Sequence, residues 1–316
     1  MIAYLLLFAA SLALLLTAAK VFTRAAESIG LALGMTPFAV GVLIISVGTS
    51  LPELVTAVLA VRGGVSEIVA GNVLGANISN LLLVLAAVSM AAPRGVRLGE
   101  QYLLIDLHFL LGSALLLVLT MADGLIRRGE GIVLLLGYVL YTTYLLRDGQ
   151  PNGKSGAADL VGATGAHGVR LRDVAIAVGS AGGIYAGARF TLEALEQLAA
   201  GLGVPPAIVA VTLLSLGTTL PELVVSAVSA RAGKPDVAIG NILGSCVFNA
   251  LGVAGVGAVT GGVQVTDDVL GLPVPVYLAG TLLFYLLTLD KRVSRWEGAL
   301  FALFYLLFIL EVARFF

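Results

Sequence analysis

The sequence predicts an all-α integral membrane protein with ten transmembrane helices in two inverted-topology five-helix repeats. Three observations carry that reading. Only 12% of the 316 residues are charged, against about 25% in ordinary soluble domains. Apolar runs of about 20 residues, the length a helix needs to cross hydrocarbon, recur along the whole chain. The first half of the chain then repeats in the second.

The first five spans are approximately 3–22, 36–60, 68–92, 102–121 and 130–146, and together they form a unit over residues 1–146. Residues 147–173 are polar and glycine-rich, without apolar periodicity, and read as a linker loop. The second five, approximately 174–198, 205–230, 236–260, 272–289 and 297–315, fill 174–316. Pro273 and Pro275 blur the start of the ninth. The first apolar run lacks the basic n-region of a signal peptide and has a counterpart in the second half, so it is read as a span.

Orientation follows from the basic residues. In a ten-span arrangement 13 of the 18 Lys and Arg, from Lys20 and Arg24 through Arg231 and Lys234 to Arg295, fall on one side. Only Arg62, Arg127, Arg128, Arg189 and Arg314 fall on the other. The expected topology has both termini extracytoplasmic and the central loop cytoplasmic, in a cell membrane whose lipid is the chain's immediate partner.

A shift of 169 residues aligns Glu27–Ala86 with Glu196–Gly255 without a gap, and about 23 of the 60 positions are identical. The strongest blocks are Gly48–Leu54 (GTSLPEL) against Gly217–Leu223 (GTTLPEL), and Gly71–Gly75 (GNVLG) against Gly240–Gly244 (GNILG). Glu130-Gly131 recurs as Glu297-Gly298. Chance similarity between greasy segments does not match Pro, Glu and Asn. Five spans per half is an odd number, so the second half enters the membrane upside down. Secondary transporters are built this way around a midplane site, as are some channels.

Glu53 and Glu222 are the only carboxylates near the middle of a predicted span. A charge there costs about 2.5–3.5 kcal/mol on insertion scales, and no basic residue at similar depth offsets it. Asp106, near the start of the fourth span, reads as an interfacial or satisfied polar residue. Pro52 and Pro221 remove the N–H that would bond the carbonyls of Gly48 and Gly217. Each segment is therefore expected to break its helix and leave carbonyl oxygens unpaired, tolerable in a membrane only along a cavity or ion site. Thr49 and Ser50 precede Glu53 by four and three residues and share its face.

In the third and eighth spans Asn72, Ala76 and Asn80 form an i, i+4, i+8 stripe, mirrored by Asn241, Ser245 and Asn249. Their amides can serve a cation or a neighbouring helix. Gly71/Gly75 and Gly240/Gly244 are small-xxx-small pairs suited to close helix approach. Carboxylates, hydroxyls, carbonyls and amides form an all-oxygen set for a hard cation, and calcium accepts six to eight such ligands at irregular geometry. Two carboxylates match one divalent cation, or two sodium ions, or two protons.

Other classes are poorly served. The net charge of −1 argues against nucleic-acid binding. One cysteine, Cys246, excludes an internal disulfide, and His108 and His167 leave little for a zinc site. No serine–histidine, Gly-x-Gly-Asp or metalloprotease motif suggests an enzyme. Nothing calls for a cofactor or an obligatory protein partner.

At its paired GTS/TLPE and GNxxG segments the sequence resembles the cation/calcium antiporter superfamily, specifically its prokaryotic sodium/calcium exchanger branch. The resemblance spans essentially the whole chain. It implies a core of spans 2, 3, 7 and 8 around the ions, with the first and sixth spans sliding against it to alternate access. It implies calcium ligation by Glu53 and Glu222 with oxygens of Thr49 and Thr218. Flanking sodium sites would use Ser50, Thr219, Ser245 and the carbonyls of Ser46 and Ser215, with Asn80 and Asn249 at the centre. The sequence departs from that pattern twice: Asn249 stands where some exchangers of this branch have aspartate, and Ala76 where they have serine. The expectation is calcium exchanged for sodium, with calcium/proton exchange as the alternative and a cation channel behind it.

Overall fold

The computed structural model describes residues 2–92, 96–97, 106–147, 169–201, 217 and 219–315. The linker from 148 to 168 and the first part of the expected seventh span therefore lie outside the described residues.

Helix α1 spans Ile2–Ala32, well beyond the expected end near residue 22. The charges of Lys20, Arg24 and Glu27 end the apolar run but not the helix, since all three are good helix formers. The stop comes at Gly34, whose φ of 73° fits a residue without Cβ. The Met35 N–H then reaches back to the carbonyl of Gly30 at 2.8 Å.

The next helices are α2 (Pro37–Val40), α3 (Ser46–Thr49), α4 (Leu51–Arg62), α5 (Glu67–Ser79) and α6 (Leu85–Ala91). They are followed by α7 (Leu107–Met121), α8 (Arg128–Arg147) and α9 (Leu171–Gly201). The remaining ones are α10 (Leu220–Arg231), α11 (Pro235–Val247), α12 (Ala254–Gly261), α13 (Asp267–Gly271), α14 (Pro273–Thr288) and α15 (Arg295–Phe315). Wider π turns join α2 to α3 at Gly41–Ile45, α5 to α6 at Asn80–Val84, and α11 to α12 at Phe248–Val253. Such turns concentrate at functional sites.

Among the described residues six helical stretches are long and apolar enough to cross a membrane, and a seventh if the bent Pro37–Thr49 and Leu51–Arg62 pair counts as one span. The protein is thus an all-helical membrane protein. Helix α7, at 15 residues, is shorter than the expected fourth span, whose first residues are not described. Helix α9 is as long as α1 and lies along it, but it is less apolar and is not one of those stretches.

Two small antiparallel pairings tie the halves together. Val96–Arg97 pairs with Arg292–Val293, and Leu125–Ile126 with Val263–Gln264. Subtracting 167 from each second-half strand gives the first-half strand of the other pairing, so each pairing is the exchanged copy of its mate. The helix starts match too. Glu130 Oε2 accepts from the Arg127 N–H at 2.7 Å, and Glu297 Oε2 from the Ser294 N–H at 2.6 Å, as in a capping box. Gly131 sits so close to Gly255 and Ala258 that a Cβ would lie 2.8 Å from the Ala258 methyl. Gly298 meets Ala86 and Ser89, which are the same two positions 169 residues earlier.

The main buried core gathers residues of α4–α8, α11, α12, α14 and α15, while α1 and α9 contribute to a second, smaller cluster. Outward faces of α1, α8, α14 and α15 expose Leu, Val and Phe side chains. That is the inverse of a soluble surface and suits lipid.

Candidate ion-binding site

From Ser50 and Thr219 onward the two GTS/TLPE segments have matching local geometry. Ser50 (φ −90°, ψ 10°) and Thr219 (φ −90°, ψ −6°) each precede a twelve-residue helix with proline in its first turn. Proline there needs no N–H and presets φ. At Ser50 the chain bends by 44° between its two helical parts, the expected break. Glu53 and Glu222 fall in the first turns of α4 and α10, where unpaired N–H groups and the positive helix end favour a carboxylate.

Both carboxylates are buried, at 0% and 1% exposure. Ser50 Oγ lies 2.8 Å from Glu222 Oε1 and 3.2 Å from Ser245 Oγ. A hydroxyl has one proton, so Ser50 gives it to the carboxylate and accepts from Ser245. Thr49 Oγ1 is within reach of the Ser46 carbonyl (3.2 Å) and of Asn241 Oδ1 (3.3 Å). Asn241 in turn donates to Ser226 Oγ at 2.8 Å. The Ser46 carbonyl also receives the Ser50 N–H at 2.9 Å, so it and Asn241 Oδ1 compete for the single Thr49 proton.

Several buried polar atoms have no partner among the described residues. They include both carboxylate oxygens of Glu53, Oε2 of Glu222, Oδ1 and Nδ2 of Asn80, and Oδ1 of Asn249. Leaving a buried polar group unpaired costs about 1–3 kcal/mol, more if it is charged, so the concentration of unpaired oxygens in the matched segments is a fit for a cation. The surroundings are exchanged copies. Helix α4, carrying Glu53, packs against Phe248–Val253, and α10, carrying Glu222, packs against Asn80–Val84. Among the described residues no three His, Cys, Asp or Glu side chains gather.

Asn249 is fixed by a chain of donors. The Cys246 carbonyl can only accept, so the Asn77 amide nitrogen must face it, at 3.2 Å. The second Asn77 proton reaches the Tyr277 hydroxyl at 3.2 Å. Asn77 Oδ1 is then the acceptor for Asn249 Nδ2, also at 3.2 Å, which leaves Asn249 Oδ1 as the unpartnered atom. Sequence reasoning missed Asn77 and Tyr277. The repeat gave no signal, because the residue matched to Asn77 is Cys246.

Other expectations divide. Gly240 and Gly244 do permit close approach: a Cβ would lie 2.4 Å from the carbonyls of Phe38 and Val42 respectively. Gly71 and Gly75 meet no such neighbour among the described residues. Thr219 is buried, and Ala76 lies on α5 at 3% exposure. Thr218 and Ser215 lie outside the described residues. Asp106, buried, accepts from the Tyr141 hydroxyl at 3.0 Å, the satisfied polar residue expected.

A profile of the sodium/calcium exchanger protein family matches residues 3–147 and 173–313. The chain belongs to the sodium/calcium exchanger family. The profile's gap coincides with the polar linker. The exchanger-family chain is 30% identical to CaxA of Alkalimonas amylolytica, with 92% of each chain covered. It is 26% identical to the sodium/calcium exchanger MaX1 of Methanosarcina acetivorans, over 91% of this chain and 92% of that one. Its fold matches the sodium-calcium exchanger NCX_Mj, soaked with zero Na+ and Ca2+, at a TM-score of 0.81 and 25% identity. That match covers 98% of this chain and 97% of the other. The resemblance carried by the GTS/TLPE and GNxxG segments thus extends through the whole chain.

Proposed function

We propose that this exchanger-family protein is a secondary active transporter that exchanges calcium for sodium by alternating access at a midplane site built on Glu53 and Glu222. The observation that carries the reading is the unpartnered oxygen set. Among the described residues, three of the four oxygens in the two buried carboxylates have no hydrogen-bond donor, and a calcium ion would meet that need. Glu53 and Glu222 would hold the ion with hydroxyl or carbonyl oxygens of Thr49 and Thr218. Sodium would be taken by Ser50, Thr219, Ser245 and the carbonyls of Ser46 and Ser215, flanked by Asn80 and Asn249.

The architecture proposed with it is ten spans in two inverted five-helix units, 1–146 and 174–316, joined by the linker 147–173. Two features support it: the exchanged strand pairings, and the glycine contacts 169 residues apart. Ten spans would leave both termini on one side, and the excess of Lys and Arg on the opposite side favours termini outside the cytoplasm and the linker inside, in the cell membrane. Countertransport rather than conduction is tested in proteoliposomes loaded with sodium and diluted into labelled calcium. Calcium should accumulate only while the sodium gradient lasts. Uptake that follows the membrane potential alone, with no sodium leaving, would make the protein a channel.

A further inference from the structure

We propose that the pocket between the polar ends of α1 and α10 binds the phosphate of an anionic phospholipid. The pocket encloses about 470 Å³, room for roughly fifteen waters at about 30 Å³ each. Four cations line it: Lys20 and Arg24, one helical turn apart on α1, with Arg231 and Lys234 at and just beyond the end of α10. Lys234 is paired with Glu27. Lys20, Arg24 and Arg231 have no carboxylate partner among the described residues, which leaves three positive charges facing one cavity.

A second, independent observation points to a ligand. Ser229 lines the same pocket at 1% exposure, and its Oγ has no hydrogen-bond partner. A buried hydroxyl without a partner among converging cations is suited to a phosphate oxygen, which accepts from guanidinium and hydroxyl alike. The charge excludes the other use of the cavity. A mouth with three unpaired positive charges repels calcium and sodium, so it does not serve as their route.

The apolar side of the pocket selects lipid over free phosphate. Leu16, 40% exposed, Val228 and Ala232 form the apolar part of the lining, with Thr23 beside them. Leu14 and Val21 are exposed on the same helix, so a headgroup held here could lay its acyl chains along α1. All four cations belong to the side placed in the cytoplasm above, and basic pockets between helices on that side suit anionic headgroups. The bound lipid would join α1 to α10, two elements that contribute to one buried cluster.

The test uses the full-length chain in detergent, titrated with phosphatidylglycerol or phosphatidylcholine and read by native mass spectrometry. The first phosphatidylglycerol should bind at a lipid concentration about tenfold or more below that for phosphatidylcholine. Arg24→Gln combined with Arg231→Gln should bring the two lipids close to parity, and Ser229→Ala should narrow the preference. Arg62→Gln with Arg128→Gln removes two exposed charges from the opposite side and should leave the preference intact. A preference that survives in the Arg24/Arg231 variant, or is lost equally in the Arg62/Arg128 variant, overturns the site. A second arm heats lipid-free protein with millimolar inorganic phosphate, and no stabilisation is expected. Stabilisation that the Arg24/Arg231 variant abolishes would assign the pocket to free phosphate and overturn the lipid.

Discussion

Ser50 Oγ donates to Glu222 Oε1 at 2.8 Å, so the residue at one helix break holds the carboxylate that follows the other. The two residues are 172 positions apart, and each belongs to one copy of the repeated GTS/TLPE segment. The bond crosses between the copies beside buried carboxylate oxygens that have no donor among the described residues.

Removing that bond should be felt in ion affinity before it is felt in folding. Hydrogen bonds to charged groups contribute about 1.5–3 kcal/mol, and roughly 1.4 kcal/mol is a tenfold change in affinity. Ser50→Ala should weaken calcium binding about tenfold or more, measured by isothermal titration on the purified protein. Unchanged affinity would mean that Glu222 is oriented without Ser50.

The two glutamates should trade stability for transport. Glu53→Gln removes a buried charge with no donor on either oxygen while keeping side-chain volume. Calcium uptake into vesicles should be nearly abolished, yet the thermal midpoint of the ion-free protein should rise, because an unpaired buried charge opposes folding. Glu222→Gln should lose transport equally and gain less stability, since it already has the Ser50 hydroxyl. Normal uptake in either well-folded variant would remove the shared site.

Much of this was legible in sequence because it was written twice. The matched Pro-Glu pairs located the breaks and carboxylates, and GNILG located the close approach of α11 to Gly41–Ser46. What was written once was harder to see. Asn77 forms three of the hydrogen bonds that orient Asn249, yet its repeat mate is Cys246 and its partner Tyr277 lies two hundred residues away. Helix ends also misled, because Lys20, Arg24 and Glu27 stop hydrophobicity without stopping α1. Nor could spacing alone show that Ser46 and Asn241 share the Thr49 hydroxyl, or that Ser226 holds Asn241.

Gly244 should tolerate no side chain. A Cβ there would stand 2.4 Å from the Val42 carbonyl and 2.6 Å from Ser46 Oγ, and neither the backbone nor a serine tied to that carbonyl can yield cheaply. Overpacking a tight core costs about 1–3 kcal/mol. Gly244→Ala should lower the thermal midpoint and reduce calcium uptake together, because α11 must move away from the segment leading to Thr49. A variant with wild-type midpoint and uptake would show that the contact is slack.

Acid should inhibit by competition. Calcium needs Glu53 and Glu222 ionised, and each proton taken up removes a ligand charge. Calcium affinity on solubilised protein should therefore fall as pH is lowered and recover when pH is raised. The dependence should flatten in Glu53→Gln, whose remaining site has one titrating carboxylate. Equal calcium affinity at acid and neutral pH would contradict carboxylate ligation.

The coupling ion turns on Asn249. Its Nδ2 must donate to Asn77 Oδ1, because the Cys246 carbonyl and the Tyr277 hydroxyl have already taken both Asn77 protons. An aspartate here could make the same bond only while protonated, so asparagine holds permanently the state that aspartate would hold with a proton. A site fixed in that state has no proton to exchange at this position, whereas its neutral hydroxyls and amide oxygens can replace the hydration shell of sodium. An outward-directed sodium gradient should then drive calcium uptake with pH clamped by an ionophore, and a proton gradient with sodium absent should not. At acid pH Asn249→Asp should show the same sodium-driven uptake that the unaltered protein retains there. It should lose uptake as pH rises and the new carboxylate ionises against Asn77 Oδ1, a loss the unaltered protein does not show. Uptake driven by protons and indifferent to sodium would overturn sodium coupling while leaving the glutamate pair in place.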